Sequence, residues 1–227
     1  MTGSHLLDRP LWTALNTGLA AFAEGGGRAV RLNADYGVFL AAAEPTEECL
    51  TAAAALVAPG ERLSMLEGEP WPLPPGTAVA FEASCDQMIA EAVHGAAPTF
   101  ETVELTDADA GEMLALAQLT EPGPVARRTN RLGGFIGVRD GGRLVAMAGE
   151  RLRVPGFVEV SGVCTHPDYR GRGYAGGLSR LIAMRILARG EQPFLHVYTD
   201  NLPTVALYAS LGFAFRRTLI HRVIVRA

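Results

Sequence analysis

One short stretch limits what this chain can fold into more than any other. Arg170-Gly171-Arg172-Gly173-Tyr174-Ala175 lies between an apolar segment of strand character, Phe157 to Thr165, and a segment of helical periodicity, Ala175 to Arg189. Leu178, Leu181, Ile182 and Ile186 give the second segment a single apolar stripe. Glycines let the backbone approach a ligand closely and turn its N–H groups one way, and the helix that follows presents its positive end. Such a turn binds phosphate through main-chain atoms, so it needs small residues more than charged ones. Gly171, Gly173 and Gly176 also spell a literal G-x-G-x-x-G. A dinucleotide fold would want an acidic residue about 20 positions on, at the end of the next strand. Position 196 is His, in Phe-Leu-His-Val-Tyr, and the first glycine follows its strand by several residues. The dinucleotide reading loses.

The flanks of this stretch have a regular rhythm. Thr102 to Leu105 reads as a short strand, and Thr106 can cap a helix running to about Leu119 with Asp107 and Asp109 in its first turn. A Pro-, Gly- and Arg-rich loop spans Glu121 to Gly134. Phe135 to Arg139 and Arg143 to Arg153 flank Asp140-Gly141-Gly142, a hairpin signal, and Pro155-Gly156 turns into the strand Phe157 to Thr165. Beyond the helix, Phe194 to Thr199 is a strand and Thr204 to Leu211 a short helix ended by Gly212. Phe213 to Phe215 and Leu219 to Val225 are expected as closing strands.

The first half carries no chemical signature. Glu47 to Val57 is an Ala-rich helix closed by Pro59-Gly60, Leu63 to Leu66 and Thr77 to Phe81 are short strands, and Pro70 to Gly76 is loop. Ser84 to Val93 is expected to be helical with Ser84 as its cap. The segment His94 to Pro98 is the expected boundary between an N-terminal α/β domain, 1–98, and a catalytic domain, 99–227.

Composition is that of an ordinary globular protein. No apolar run reaches the roughly 18 residues of a membrane span, and Met1 to Pro10 lacks the pattern of a secretory signal. Cys49, Cys85 and Cys164 are too scattered for a Cys-rich zinc site, and no His spacing suggests a metal, so no metal and a reducing cytoplasm are expected. Every basic side chain is arginine. Residues 1–100 hold 4 Arg against 12 Asp and Glu, residues 101–227 hold 16 Arg against 12. The basic half suits a polyanionic ligand, although the excess is too dispersed to imply nucleic acid.

The motifs together resemble the GNAT superfamily of N-acetyltransferases. Its signature, Arg or Gln, two variable residues, Gly, one variable residue, then Gly or Ala, is filled by Arg170, Gly173 and Ala175. Val163-Cys164-Thr165-His166-Pro167-Asp168-Tyr169-Arg170 looks like the family's central strand entering its pyrophosphate loop. Asn201, Leu207, Tyr208, Leu211, Gly212 and Phe213 look like its closing Asn…Leu-Tyr…Leu-Gly-Phe block. The phrasing is closest to the branch of glycine N-acyltransferase-like proteins. The resemblance implies a mixed α/β fold, a mostly antiparallel sheet flanked by helices, with the N-terminal α/β domain added. It also implies acetyl-CoA as acyl donor and a small amine or amino acid as acceptor. Neither nucleic acid nor membrane is expected as a partner, and the chain is expected to be a monomer or homodimer.

The roles follow from the resemblance, residue by residue. The main chain of Val163 and Thr165, with Cys164 between them, would bond the pantetheine arm. The main chain from Arg170 through Gly171, Arg172, Gly173 and Tyr174 to Ala175 would hold the pyrophosphate, with Asn201 as a further contact to the arm. Arg172 is equally well read as facing water. Tyr208 matches the tyrosine that protonates the departing thiolate, and Glu159 the general base. Strict alternation would put Glu159 on one face with Ser161, Val163 and Thr165, with Cys164 opposite, and partial burial would raise its pKa. His166 and His196 read as structural. Arg127, Arg128 and Arg131 are weaker candidates for an acceptor carboxylate. The alternative function is a non-catalytic acyl-CoA-binding regulatory module; retention of Glu159 and Tyr208 favours the enzyme.

Overall fold

The computed structural model describes residues 5–226. Eleven strands and five α-helices follow in chain order among them: α1 (Pro10–Asn16), β1 (Ala23–Gly26), β2 (Ala29–Leu32), β3 (Leu40–Ala42), α2 (Glu47–Ala55), β4 (Arg62–Glu67), β5 (Thr77–Ile89), β6 (Val103–Leu105), α3 (Ala110–Thr120), β7 (Phe135–Asp140), β8 (Arg143–Val154), β9 (Phe157–Thr165), α4 (Tyr174–Ala188), β10 (Gln192–Tyr198), α5 (Leu202–Ser210) and β11 (Ala214–Arg226). The fold is mixed α/β. Strands β1 to β3 form a small sheet, and the other eight form one large sheet in the order β4-β11-β5-β10-β9-β8-β7-β6. Every pairing in the large sheet is antiparallel except β9 with β10.

The expected helix at Ser84 to Val93 is instead the second half of β5. Cys85 to Ile89 pair with Tyr198 to Phe194 of β10 on one edge, and Thr77 to Ile89 pair with β11 on the other. Hydrogen bonds on both edges outweigh the local helical preference of a short segment. The two closing strands are likewise one, β11, with a register shift between Phe215 and Arg217 that the sequence reads as a break. Hydrogen bonding also runs across the expected boundary at 98, since β4 and β5 from the first half lie in the same sheet as β6 to β11.

The large sheet has two covered faces. On one, α4 and α5 bury Leu178, Ile182, Ile186 and Tyr208 against Val158, Val160, Leu195 and Val197. On the other, α1, the short turn before it and the β2–β3 region place Leu7, Leu11, Leu15 and Phe39 over Leu66, Cys85, Phe194 and Leu219. Beside them α3 places Met113, Leu116 and Ala117 over Phe135, Met147 and Cys164.

A bulge in β9 breaks the expected alternation. Ser161 pairs with Gly149 and Cys164 with Met147, so β9 carries one residue more than β8 across this span. Gly162 takes φ +62° there, and a side chain on it would meet the Phe135 ring at 2.8 Å. Val163 therefore packs towards α4 with Val158 and Val160, while Cys164 packs under α3. Cys164 thus shares the face of Glu159, and Val163 does not. No spacing rule anticipates that shift.

Candidate active site

The parallel pairing of β9 with β10 spans only Phe157 to Glu159 against Gln192 to Phe194. Beyond Glu159 the strands diverge, and a cavity of about 860 Å³ passes between them. It connects the two faces of the sheet. On the α4 side it is lined by the glycine turn and Tyr208, on the α1 side by Leu11, Phe39 and Leu66.

The glycine turn supplies the first end. Gly171 and Gly173 both hold φ +78°, where an L side chain is strained, and a Cβ on either would point into open space. Gly173 is the N-cap of α4, and its carbonyl takes the first bond of the helix from the Gly177 N–H. The N–H groups of Tyr174, Ala175 and Gly176 thus have no intrahelical acceptor and face the turn. Arg170, Gly171, Gly173, Tyr174 and Ala175 line the cavity. Arg172 does not; its guanidinium stacks on the Tyr169 ring at 4.6 Å.

In the gap itself, Val163, Cys164 and Thr165 line one wall. The Thr165 hydroxyl is buried without a hydrogen-bond partner, an orphaned polar atom at the edge of an open channel. Asn201 also lines the cavity, and its side chain accepts from the Thr204 N–H at 3.3 Å, capping α5. Tyr208 lies opposite and is only 7% exposed. Burial pushes its phenol up to about 12, against a smaller pull from the Ser179 hydroxyl. The Cys164 thiol is pushed up to about 11 by burial, so it is no thiolate at neutral pH.

Glu159 stands at the apex of the gap and is fully buried. Burial acts to raise its pKa, but the Arg151 charge and hydrogen bonds from His196 and Arg151 outweigh burial and hold the carboxylate at about 2. This corrects the expected upward shift. Arg151 Nε and Nη2 donate to the two carboxylate oxygens at 2.8 and 2.9 Å, and His196 Nδ1 lies 2.7 Å from Oε1. The tautomer of His196 follows from its neighbours. Arg216 donates to Gln87 Oε1 at 2.8 Å, so the Gln87 amide nitrogen faces His196 Nε2 at 3.1 Å as donor. The imidazole proton then sits on Nδ1 and is given to Glu159. A carboxylate so fully engaged is a poor acceptor for an amine proton.

His196, expected to be structural, lines the cavity and bonds Glu159, as does Arg151, which the sequence reading did not single out. The strand alternation of Phe194, His196 and Tyr198 is the signal available for His196. Arg127, Arg128 and Arg131 lie elsewhere: the first two pair with Asp35 and the third with Asp107. The loop they come from does reach the cavity, through Glu121 to Pro124. Among the described residues no group of three or more His, Cys, Asp or Glu is placed to hold a metal, and no helix is long and apolar enough to cross a membrane.

Comparison with known proteins agrees with this geometry. The family model described as FR47-like protein matches residues 135–222, which run from β7 into β11. The N-alpha-acetyltransferase RimI of Mycobacterium tuberculosis (strain ATCC 25618 / H37Rv) is 41% identical over 120 residues, covering 48% of this chain and 75% of that protein. A solved structure from Novosphingobium aromaticivorans DSM 12444, described as an acetyltransferase from the GNAT family, is 44% identical, with a TM-score of 0.90 over 99% of this chain and 100% of that one. A GCN5-related N-acetyltransferase from Kribbella flavida shares the fold, with a TM-score of 0.66 at 18% identity over 98% of this chain and 96% of that one. With its glycine turn, its split strands and relatives of this similarity, the chain belongs to the GNAT family of acetyltransferases.

Proposed function

We propose that this acyltransferase moves the acetyl group of acetyl-CoA directly to a primary amine, with Tyr208 as general acid. The observation that carries the reading is the channel between β9 and β10, which opens at a glycine turn and a helix N-terminus and contains the unpartnered Thr165 hydroxyl. The residues fit a phosphorylated, amide-bearing thioester. The N–H groups of Tyr174 and Ala175, with the turn from Arg170 to Gly173, would hold the pyrophosphate. The free edge of β9 at Val163, Cys164 and Thr165 would pair with the arm as an added strand would, with Asn201 beside it. Acetyl-CoA supplies the activated carbonyl and a thiolate leaving group.

Tyr208 keeps its proton throughout the neutral range, so it can give it to a thiolate. Glu159 is a positioning residue: it fixes Arg151 and the proton on His196. The acceptor then reacts as its free base, a fraction of about 0.1% at pH 7 for an amine of pKa about 10, and its proton passes to solvent. Likeness to the glycine N-acyltransferase-like branch is supported by the motif from Val163 to Arg170 alone, which concerns the donor end.

Calorimetric titration with acetyl-CoA, with NAD as control, tests the reading. Micromolar binding followed by turnover with any amine supports the enzyme over a non-catalytic acyl-CoA-binding module. No binding to acetyl-CoA or free CoA overturns it.

A further inference from the structure

The end of the cavity away from the glycine turn is built in large part by chain outside the region matched by the family model. Ser64 and Leu66 come from β4, Cys85 from β5, Leu11 from α1 and Phe39 from the segment before β3; Arg151, Tyr198 and His221 come from within 135–222. Adjacent strands bring the floor together, because Tyr198 pairs with Cys85, and His221 with Leu66. Leu11 and Phe39 roof it.

We propose that this chamber takes a primary amine whose only charge is the reacting nitrogen, carrying an apolar aliphatic or aromatic tail. The inference deepens the acetyl-transfer reading and rests on it.

The argument is electrostatic. Arg151 is the one cation that lines this end; its Nε and Nη2 bond Glu159, and its guanidinium lies over the Phe39 ring at 4.9 Å. Glu159 is the matching anion, so the pair presents no net charge. His221 stands between the Ser64 hydroxyl at 3.1 Å and the Tyr198 hydroxyl at 3.3 Å. Burial, with the Arg151 charge, holds it down to about 4, so it is uncharged at neutral pH. Burial pushes the Cys85 thiol up to about 12 and raises the Tyr198 phenol. Glu121 also lines the cavity, but from an exposed position just after α3 where water solvates it; the buried part of the chamber holds no uncompensated charge, and a charge brought in there without a partner is strongly penalised. An apolar tail gains about 0.8 kcal/mol for each methylene buried against Leu11, Phe39 and Leu66.

The test measures thiol release at saturating acetyl-CoA with hexylamine, phenethylamine, glycine, spermidine and an alanyl tetrapeptide. Hexylamine or phenethylamine is expected to exceed glycine and spermidine in kcat/KM by about 100-fold or more, the worth of three to four buried methylenes. Leu66→Asp, which leaves the donor end intact, is expected to narrow that ratio at least tenfold while acetyl-CoA affinity is unchanged. Acetyl-CoA binding with preference for glycine, spermidine or the peptide overturns the inference and leaves acetyl transfer standing. So does calorimetry showing that neither apolar amine binds the enzyme saturated with free CoA. Absence of acetyl-CoA binding instead removes the reading beneath it.

Discussion

Arg151 and Glu159, eight residues apart across the β8–β9 hairpin, form a two-bond ion pair at 2.8 and 2.9 Å at the point where β9 and β10 part. The carboxylate is fully buried and the guanidinium nearly so. Such a pair costs most when only one partner is removed.

Glu159→Gln is expected to destabilise the fold by roughly 3–5 kcal/mol, because it leaves the Arg151 charge buried and uncompensated. The double variant Arg151→Met, Glu159→Leu should recover much of that loss. The sign of the pH dependence follows from the depressed pKa. The contribution of Glu159 is present above the ordinary carboxylate value near 4.5 and is lost as pH falls towards about 2. Urea unfolding of the three proteins between pH 7 and 2.5 checks both points. Equal stability of the single variant and the wild type would show that the pair carries no weight.

Tyr208→Phe should lower kcat by about 10²–10⁴-fold with little change in acetyl-CoA affinity, since only the proton donor is removed. Neither Glu159, at about 2, nor Tyr208, at about 12, titrates between pH 5 and 9. The kcat/KM for an amine is therefore expected to climb tenfold per pH unit from pH 6 to 9, following the free base. A plateau beginning near pH 6–7 that Glu159→Gln abolishes would restore Glu159 as general base.

Gly173→Ala is expected to weaken acetyl-CoA binding by about 5–30-fold, the equivalent of the roughly 1–2 kcal/mol that a left-handed conformation costs an L residue. Gly111→Ala, on an exposed surface of α3 with nothing within 4 Å of the added methyl, serves as control and should leave affinity unchanged. Calorimetry on both reads the difference.

A fragment of residues 99–227 is expected not to fold by itself, because β5 lies between β10 and β11 and pairs with both. Far-ultraviolet circular dichroism and urea unfolding of the fragment check this. A cooperative transition in the fragment would show that 1–98 is separable after all.

The sequence by itself determined the glycine turn and its flanks. The turn from Arg170 to Ala175, the strand before it and the helix after it are contiguous, and a turn that aims backbone N–H groups one way needs only neighbours in the chain. Strand β9 is Phe157–Thr165 as its pattern indicates, and Tyr208 and Asn201 reach the cavity from one short helix and its cap. What only the tertiary structure decided is everything that depends on residues far apart in sequence. The strand character of Ser84 to Ile89 comes from two partner strands more than 100 residues away. The face of Cys164 comes from a bulge against Phe135. The protonation of Glu159 comes from Arg151 and His196, brought to it by a hairpin and by a parallel neighbour, and their charge and hydrogen bonds reverse the effect that burial alone would have. Local spacing encodes backbone geometry, whereas the field at a buried group is set by whichever side chains the sheet order places beside it.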